Sequence, residues 1–178
     1  MIEVLVTIVI IAFGLLGMAG LQMRLQLSEM EAYQRSQAIL LMDDMANRIA
    51  VNRNNAASYV IAAASPTGTG ATCVSTTTTT AQRDLGEWCN ALQGAAESTG
   101  TGSTTVSVGA MVGGRGCVES VGGDYMVTVV WQGTSPISAP PSSVACGANS
   151  FNGNTGSPCV NDLCRRAVTT VVRIATLT

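Results

Sequence analysis

Hydrophobic and polar positions are divided unevenly along this chain. From Val4 to Met23 there is no Asp, Glu, Lys or Arg; Glu3 stands just ahead of the run and Arg24 just behind it. Twenty uncharged residues at a helical rise of 1.5 Å cover about 30 Å, the thickness of a bilayer's hydrocarbon core. The pattern predicts a membrane-spanning helix. It is too long for the apolar region of a cleaved secretory signal, and no basic segment precedes it. From Leu21 to Ala57 there is neither Pro nor Gly, and Leu27, Met30, Ala38, Leu41, Met42, Met45 and Ile49 recur at three- and four-residue steps. Asp43, Asp44, Asn47 and Arg48 take the other faces, so the apolar helix is expected to continue as an amphipathic one. Together they predict one rod of about 55 residues, about 80 Å long, fraying at Asn52–Asn55.

Beyond it the pattern changes. Residues 58–83 carry no charge before Arg83 and many small polar side chains, which reads as a loop region. Thr79 and Gln82 have capping-box spacing ahead of a helix expected over 81–97, with Leu85, Trp88 and Leu92 on one face as core. Strands are expected over Thr104–Val112, Asp124–Gln132 and Ala167–Thr178. In the second of these, Tyr125, Val127, Val129 and Trp131 share one face and Met126, Thr128 and Val130 the other. In the third, Val168, Val172 and Ile174 lie on one side. The predicted architecture is α+β, a long N-terminal helix packed on a small antiparallel sheet. Residues 1–24 form its transmembrane or assembly half and 25–178 an exported head, divided into an amphipathic helix (25–57), a loop region (58–83), and a sheet with a C-terminal loop (84–178).

Composition narrows the chemistry. Net charge is -2 with 11% charged residues, and the nine cations are all Arg. No basic patch offers itself to phosphates, which excludes nucleic acid as a partner. His and Lys are absent, so the abundant Ser and Thr have no base to activate them and no enzyme activity is expected. No cofactor or metal is expected either. Asn152, Asn154, Asn161 and Asp162 offer one carboxylate among four ligands, too little charge for calcium. Asp84 and Glu87 read as anions favoured by the N-terminal turn of their helix.

Cys73, Cys89, Cys117, Cys146, Cys159 and Cys164 are an even set confined to the C-terminal part, which reads as a disulfide framework in an oxidising compartment. The alternative, a zinc site, needs two tight cysteine pairs, and only Cys159 and Cys164 come close. Six cysteines leave fifteen connectivities open. The five-residue step from Cys159 to Cys164 is the first choice for a local pair, with Cys146–Cys164 second. Oxidised cysteines place the head outside the cytoplasm and the N-terminus inside. Gly14, Gly17 and Gly20 interrupt the apolar half and admit two readings. They are small residues that let helices approach closely in lipid, or they mark a weak segment able to unwind within an assembly.

The run "IEVLVTIVIIAFGLLGMAGLQ" closely resembles the segment shared by PilV-type minor pilins of the type IV pilin superfamily. "LLMDDMANRIAVN", "RDLGEW", "YMVTVVWQG" and "CRRAVTTVVRI" resemble later stretches of those proteins. In the family a short basic leader ending in Gly is removed, leaving a methylated Phe two residues ahead of where this chain begins. By the alignment of the motif, Glu3 falls on the family's glutamate. The resemblance implies that Glu3 pairs with the N-terminal amine of an adjacent subunit and so sets axial register. A carboxylate buried in an apolar medium needs such a partner. It further implies a structural subunit that inserts in the bacterial inner membrane and is then drawn into an extracellular pilus. There it is expected at low copy number at the tip, with other minor pilins, the major pilin and a tip adhesin, serving adhesion and twitching motility. A minor pseudopilin of type II secretion is the alternative within the same physics. A membrane-anchored periplasmic binding module is the alternative from a different class.

Overall fold

Helix α1 runs without interruption from Ile2 to Val51 in a computed structural model that describes residues 2–74, 78–95, 98–100, 106–109 and 111–174. The chain divides into two compact units, the first reaching Tyr33 and the second beginning at Gln34. α1 contributes to both.

In the second unit α1 buries Gln34, Ala38, Met42, Met45 and Ile49, a stripe at three- and four-residue steps. Leu27 and Met30, expected on that stripe, belong to the first unit and are 52% and 53% exposed. Periodicity marks which residues share a face, but it does not say how far along the helix a receiving surface extends. α1 also ends earlier than the expected Ala57. From Arg53 to Tyr59 the chain is a 3₁₀ segment in which Asn55 leaves helical geometry, with φ -118°. The cause is local. Asn55 Nδ2 donates to Asn52 Oδ1 at 2.9 Å, and short amide side chains of this kind compete with the helical ladder.

The short strand β1 (Thr67–Gly68) precedes helix α2 (Thr80–Leu92). Thr79 caps α2, its hydroxyl accepting from Gln82 N at 3.2 Å, while the Gln82 side chain meets the Thr78 hydroxyl. The expected extension to residue 97 fails at Gly94, whose φ of +89° turns the backbone left-handed. Gly94 N and Ala95 N then close onto Ala91 O and Asn90 O, which ends the helix. Residues 96–97 lie outside the described residues.

The sheet follows the order β1-β4-β5-β6 and is antiparallel throughout, with β4 at Arg115–Val121, β5 at Asp124–Gln132 and β6 at Arg165–Val172. A long helix packed on an antiparallel sheet is the α+β arrangement expected. β5 has the expected bounds. β6 starts two residues before Ala167 and ends at Val172, and residues 175–178 of the expected strand lie outside the described residues. Within the expected strand Thr104–Val112, residues 104, 105 and 110 also lie outside them. There, Val106–Ser107 (β3) pairs with Ser98–Thr99 (β2) as a separate two-stranded ribbon, and Val112 sits in a turn. β4 was not expected at all. It joins β5 through Gly122-Gly123, both at positive φ, a two-residue hairpin turn whose geometry favours glycine.

One face of the sheet holds Val118, Val127, Val129, Trp131, Val168 and Val172. It packs with Met45 and Ile49 of α1, Trp88 and Leu92 of α2, and Tyr59. The other face carries a smaller cluster of Cys117, Val130, Cys146 and Phe151, with Ala167 against it. The C-terminal loop lies over that second face.

Candidate assembly helix and stapled loop

The first unit is α1 up to Tyr33, and its large apolar side chains from Ile2 to Met30 are exposed. An 18-residue window of this helix has mean hydropathy 2.7, long and apolar enough to cross a membrane. Glu3 lies in its first turn. Residues 3, 7, 14 and 17 are spaced by four, seven and three, so Glu3, Thr7, Gly14 and Gly17 share one side of the helix. Thr7 satisfies its own hydroxyl by donating to Val4 O at 2.9 Å, which removes one cost of placing it in an apolar medium. A Cβ added at Gly14, Gly17 or Gly20 meets no atom within 4 Å. All three sit in regular helix and leave bare backbone on its surface, where another helix can approach closely.

The second unit holds the six cysteines in three bridges, Cys73–Cys89, Cys117–Cys146 and Cys159–Cys164. The second choice of pairing, Cys146–Cys164, is not made. Cys146 instead reaches Cys117 on β4, a strand whose position the spacing of cysteines could not reveal. Cys73–Cys89 ties the loop region to α2, and the other two bridges hold the segment between β5 and β6.

That segment is organised by two buried arginines at the start of β6. Arg165 Nη1 donates to Val144 O at 2.7 Å and Cys146 O at 3.0 Å, and its Nε stands 3.2 Å from Asp162 Oδ2. Arg166 donates to Ser135 O at 2.7 Å and Leu163 O at 3.2 Å. Asp162 in turn accepts from Asn149 N at 2.7 Å, and its own N–H donates to Asn152 Oδ1 at 2.8 Å. Asn149, Asn161 and Asp162 all have φ between 52° and 62°, a conformation these short polar side chains tolerate better than most. Of the residues weighed above as calcium ligands, Asn161 and Asp162 are thus turn-forming, Asn152 accepts from the Asp162 N–H, and the Asp162 carboxylate is engaged by Arg165 and a backbone N–H. The sequence showed the Arg pair only as a flank of the last strand. Apart from Asp162, the acceptors named here are main-chain carbonyls, which carry no side-chain signature.

A second network joins α1 to α2. Arg48 donates to Asp44 at 2.9 Å, Asp84 at 2.9 Å and Glu87 at 2.7 Å. Asp84 also accepts from the Tyr59 hydroxyl, which itself accepts from Asn52 Nδ2 at 3.0 Å. α2 starts at Thr80, so Asp84 and Glu87 lie beyond its first turn, and they serve Arg48 rather than the helix dipole. Burial alone would lower the Arg48 pKa, but its hydrogen bonds to Glu87, Asp84 and Asp44 and the Asp44 charge hold it above the ordinary range. Burial pushes the Tyr59 phenol upward, and its bond to the Asp84 carboxylate adds to that shift.

Among known families, the Tt1218-like family, described as type IV pilin Tt1218, matches residues 20–98. The match takes in the end of the apolar run, the amphipathic half of α1 and all of α2. Comparison with curated proteins gives no match, and comparison with solved structures gives none.

Proposed function

We propose that this chain, matched over residues 20–98 by a type IV pilin family, is a type IV pilin, and in particular a minor subunit that helps begin a type IV pilus and presents a tip adhesin. An apolar, exposed helix near the N-terminus fits anchoring in a membrane followed by packing in a pilus. The observation that carries the proposal is Glu3 at the mouth of that helix, with no other charge before Arg24. A carboxylate there is costly in lipid or in a packed helical core unless another subunit supplies a cation. Glu3 therefore acts in assembly, pairing with the N-terminal amine of the neighbouring subunit. Gly14, Gly17 and Gly20 give the same helix either close approach to its neighbours or a point of unwinding. The minor role follows from the head. Three disulfides and two carbonyl-binding arginines hold a long irregular loop, suited to one specific contact rather than to a surface repeated along a filament.

The test is Glu3→Ala in cells that make pili. Membrane insertion is expected to be unchanged, with strong loss of the subunit from sheared pili. Equal recovery of variant and wild type would remove the assembly role.

A further inference from the structure

The chain contains one Asn-Gly pair, Asn152-Gly153, in the segment between β5 and β6. Asn-Gly is the linkage most prone to cyclise, because glycine puts no side chain in the way when its nitrogen attacks the preceding Cγ. Both members serve the fold. Asn152 Oδ1 accepts from Asp162 N at 2.8 Å, beside the carboxylate that engages Arg165. A Cβ on residue 153 would stand 2.5 Å from Ser157 Cβ, so only glycine fits. The fold thus builds a labile linkage into an exposed stretch that water reaches.

Two contacts bear on its reactivity, in opposite directions. The Asp162 N–H on Asn152 Oδ1 draws electron density from Cγ and would stabilise the oxyanion formed on attack. The carbonyl is therefore activated rather than shielded. The nucleophile is what is held back. Gly153 N donates to Cys159 O at 2.7 Å, and an amide anion facing that oxygen would be repelled. Cys159 is fixed in its turn: its N–H donates to Ser157 Oγ at 3.1 Å, and its sulfur is bonded to Cys164. Cys164 is buried, and its carbonyl accepts from Gly133 N at 2.8 Å at the end of β5. One bridge therefore ties the Cys159 carbonyl to the sheet.

We propose that Asn152 is a latent deamidation site and that the Cys159–Cys164 bridge is its latch. The bridge opens by exchange with an external dithiol, which is oxidised as the two cysteines are reduced. Gly153 N then loses its proton to hydroxide and attacks Asn152 Cγ. The bond from Cγ to Nδ2 breaks, and ammonia leaves with a proton from water. Water opens the resulting succinimide at either carbonyl, leaving aspartate or isoaspartate. The deamidation sums to one water consumed and one ammonia released. Its product adds a carboxylate close to Asp162, and isoaspartate also lengthens the backbone, so the hold on the Asp162 N–H weakens. The inference rests on the second unit alone and stands whether or not the pilus reading does.

The test ages the full chain in detergent micelles at neutral pH and follows residue 152 by peptide mapping, scoring deamidation and isoaspartate. A synthetic peptide covering Phe151–Ser157 gives the unprotected rate. Wild type is expected to react about tenfold more slowly than the peptide. Cys159→Ala with Cys164→Ala should approach the peptide's rate, whereas Cys73→Ala with Cys89→Ala should stay near wild type. If the first variant does not fold, wild type in rising urea serves instead. Its rate should climb before the tryptophan fluorescence changes, because local opening exposes less surface than global unfolding. Reaction of wild type at the peptide's rate would overturn the proposal. Equal acceleration by loss of either bridge, or a rate that follows global unfolding, would overturn it too. So would a product without isoaspartate, which would mean direct hydrolysis rather than attack by Gly153 N.

Discussion

Trp88 of α2 donates its indole N–H to the Leu41 carbonyl of α1 at 2.8 Å, while its six-membered ring covers the Cα of Gly116 on β4. One side chain, fully buried, thereby joins both helices to the sheet. A Cβ at Gly116 would stand 2.7 Å from Trp88 Cζ3, so the ring fits only over glycine. Trp88→Ala is expected to destabilise the head by about 3–5 kcal/mol. Gly116→Ala should cost about 1–3 kcal/mol by overpacking. Denaturant unfolding followed by the fluorescence of the remaining Trp131 measures the first, and of both tryptophans the second.

Burial of Tyr59, together with its bond to Asp84, makes stability sensitive to alkali. The folded head raises the Tyr59 phenol above its ordinary value of 10.0, so it favours the neutral form. The stabilisation is then fully present below that ordinary value and is lost as pH rises through the higher folded value. Unfolding midpoints across this range should fall more steeply for wild type than for Tyr59→Phe. The variant is expected to be weaker at neutral pH by about 1 kcal/mol for the lost hydrogen bond.

The bridges should contribute unequally. Cys117–Cys146 closes a separation of 29 residues and Cys159–Cys164 one of 5. Loop-closure entropy gives about 3.6 kcal/mol for the first and about 2 kcal/mol for the second. Replacing each pair by alanines and comparing unfolding midpoints tests the order. A larger loss from the Cys159–Cys164 pair would show that the local loop matters more than the unfolded chain's entropy.

Removing the apolar segment should leave a soluble head, and the place of the cut matters. A chain beginning at residue 25 retains Leu25, Leu27, Met30 and Tyr33, all exposed. One beginning at Gln34, where the second unit starts, does not. Exported to an oxidising compartment, the shorter form is expected to sediment as a monomer at concentrations where the longer one associates. Aggregation of the shorter form would show that α1 before Gln34 is needed for folding.

Legibility in the sequence followed the reach of each signal. β5 could be read from alternation because its two faces meet two different apolar clusters, and α1 because charge is absent from one half and periodic in the other. β4 escaped because "GRGCVESV" opens on glycines that look like a turn. Gly116 is there for the Trp88 ring, a contact that spans 28 positions of sequence. The end of α2 was marked by Gly94, but the apolar and small residues beyond it continued the helical pattern. In the candidate site, Glu3 and the three glycines stand out as exceptions in an apolar run. Arg48, Tyr59, Arg165 and Arg166 do not, because their partners come together only through the fold.

The grip of Arg165 and Arg166 on the segment between β5 and β6 falls on four carbonyl oxygens, those of Val144, Cys146, Leu163 and Ser135. Every amino acid carries that acceptor. Substitutions along the segment can therefore change what it displays without loosening what fastens it, provided the cysteines, the two guanidiniums, Asp162 and Asn152 stay. A side chain that points outward from this segment can thus be exchanged at little cost to the head's stability, because the bonds that fix the backbone beneath it do not pass through that side chain.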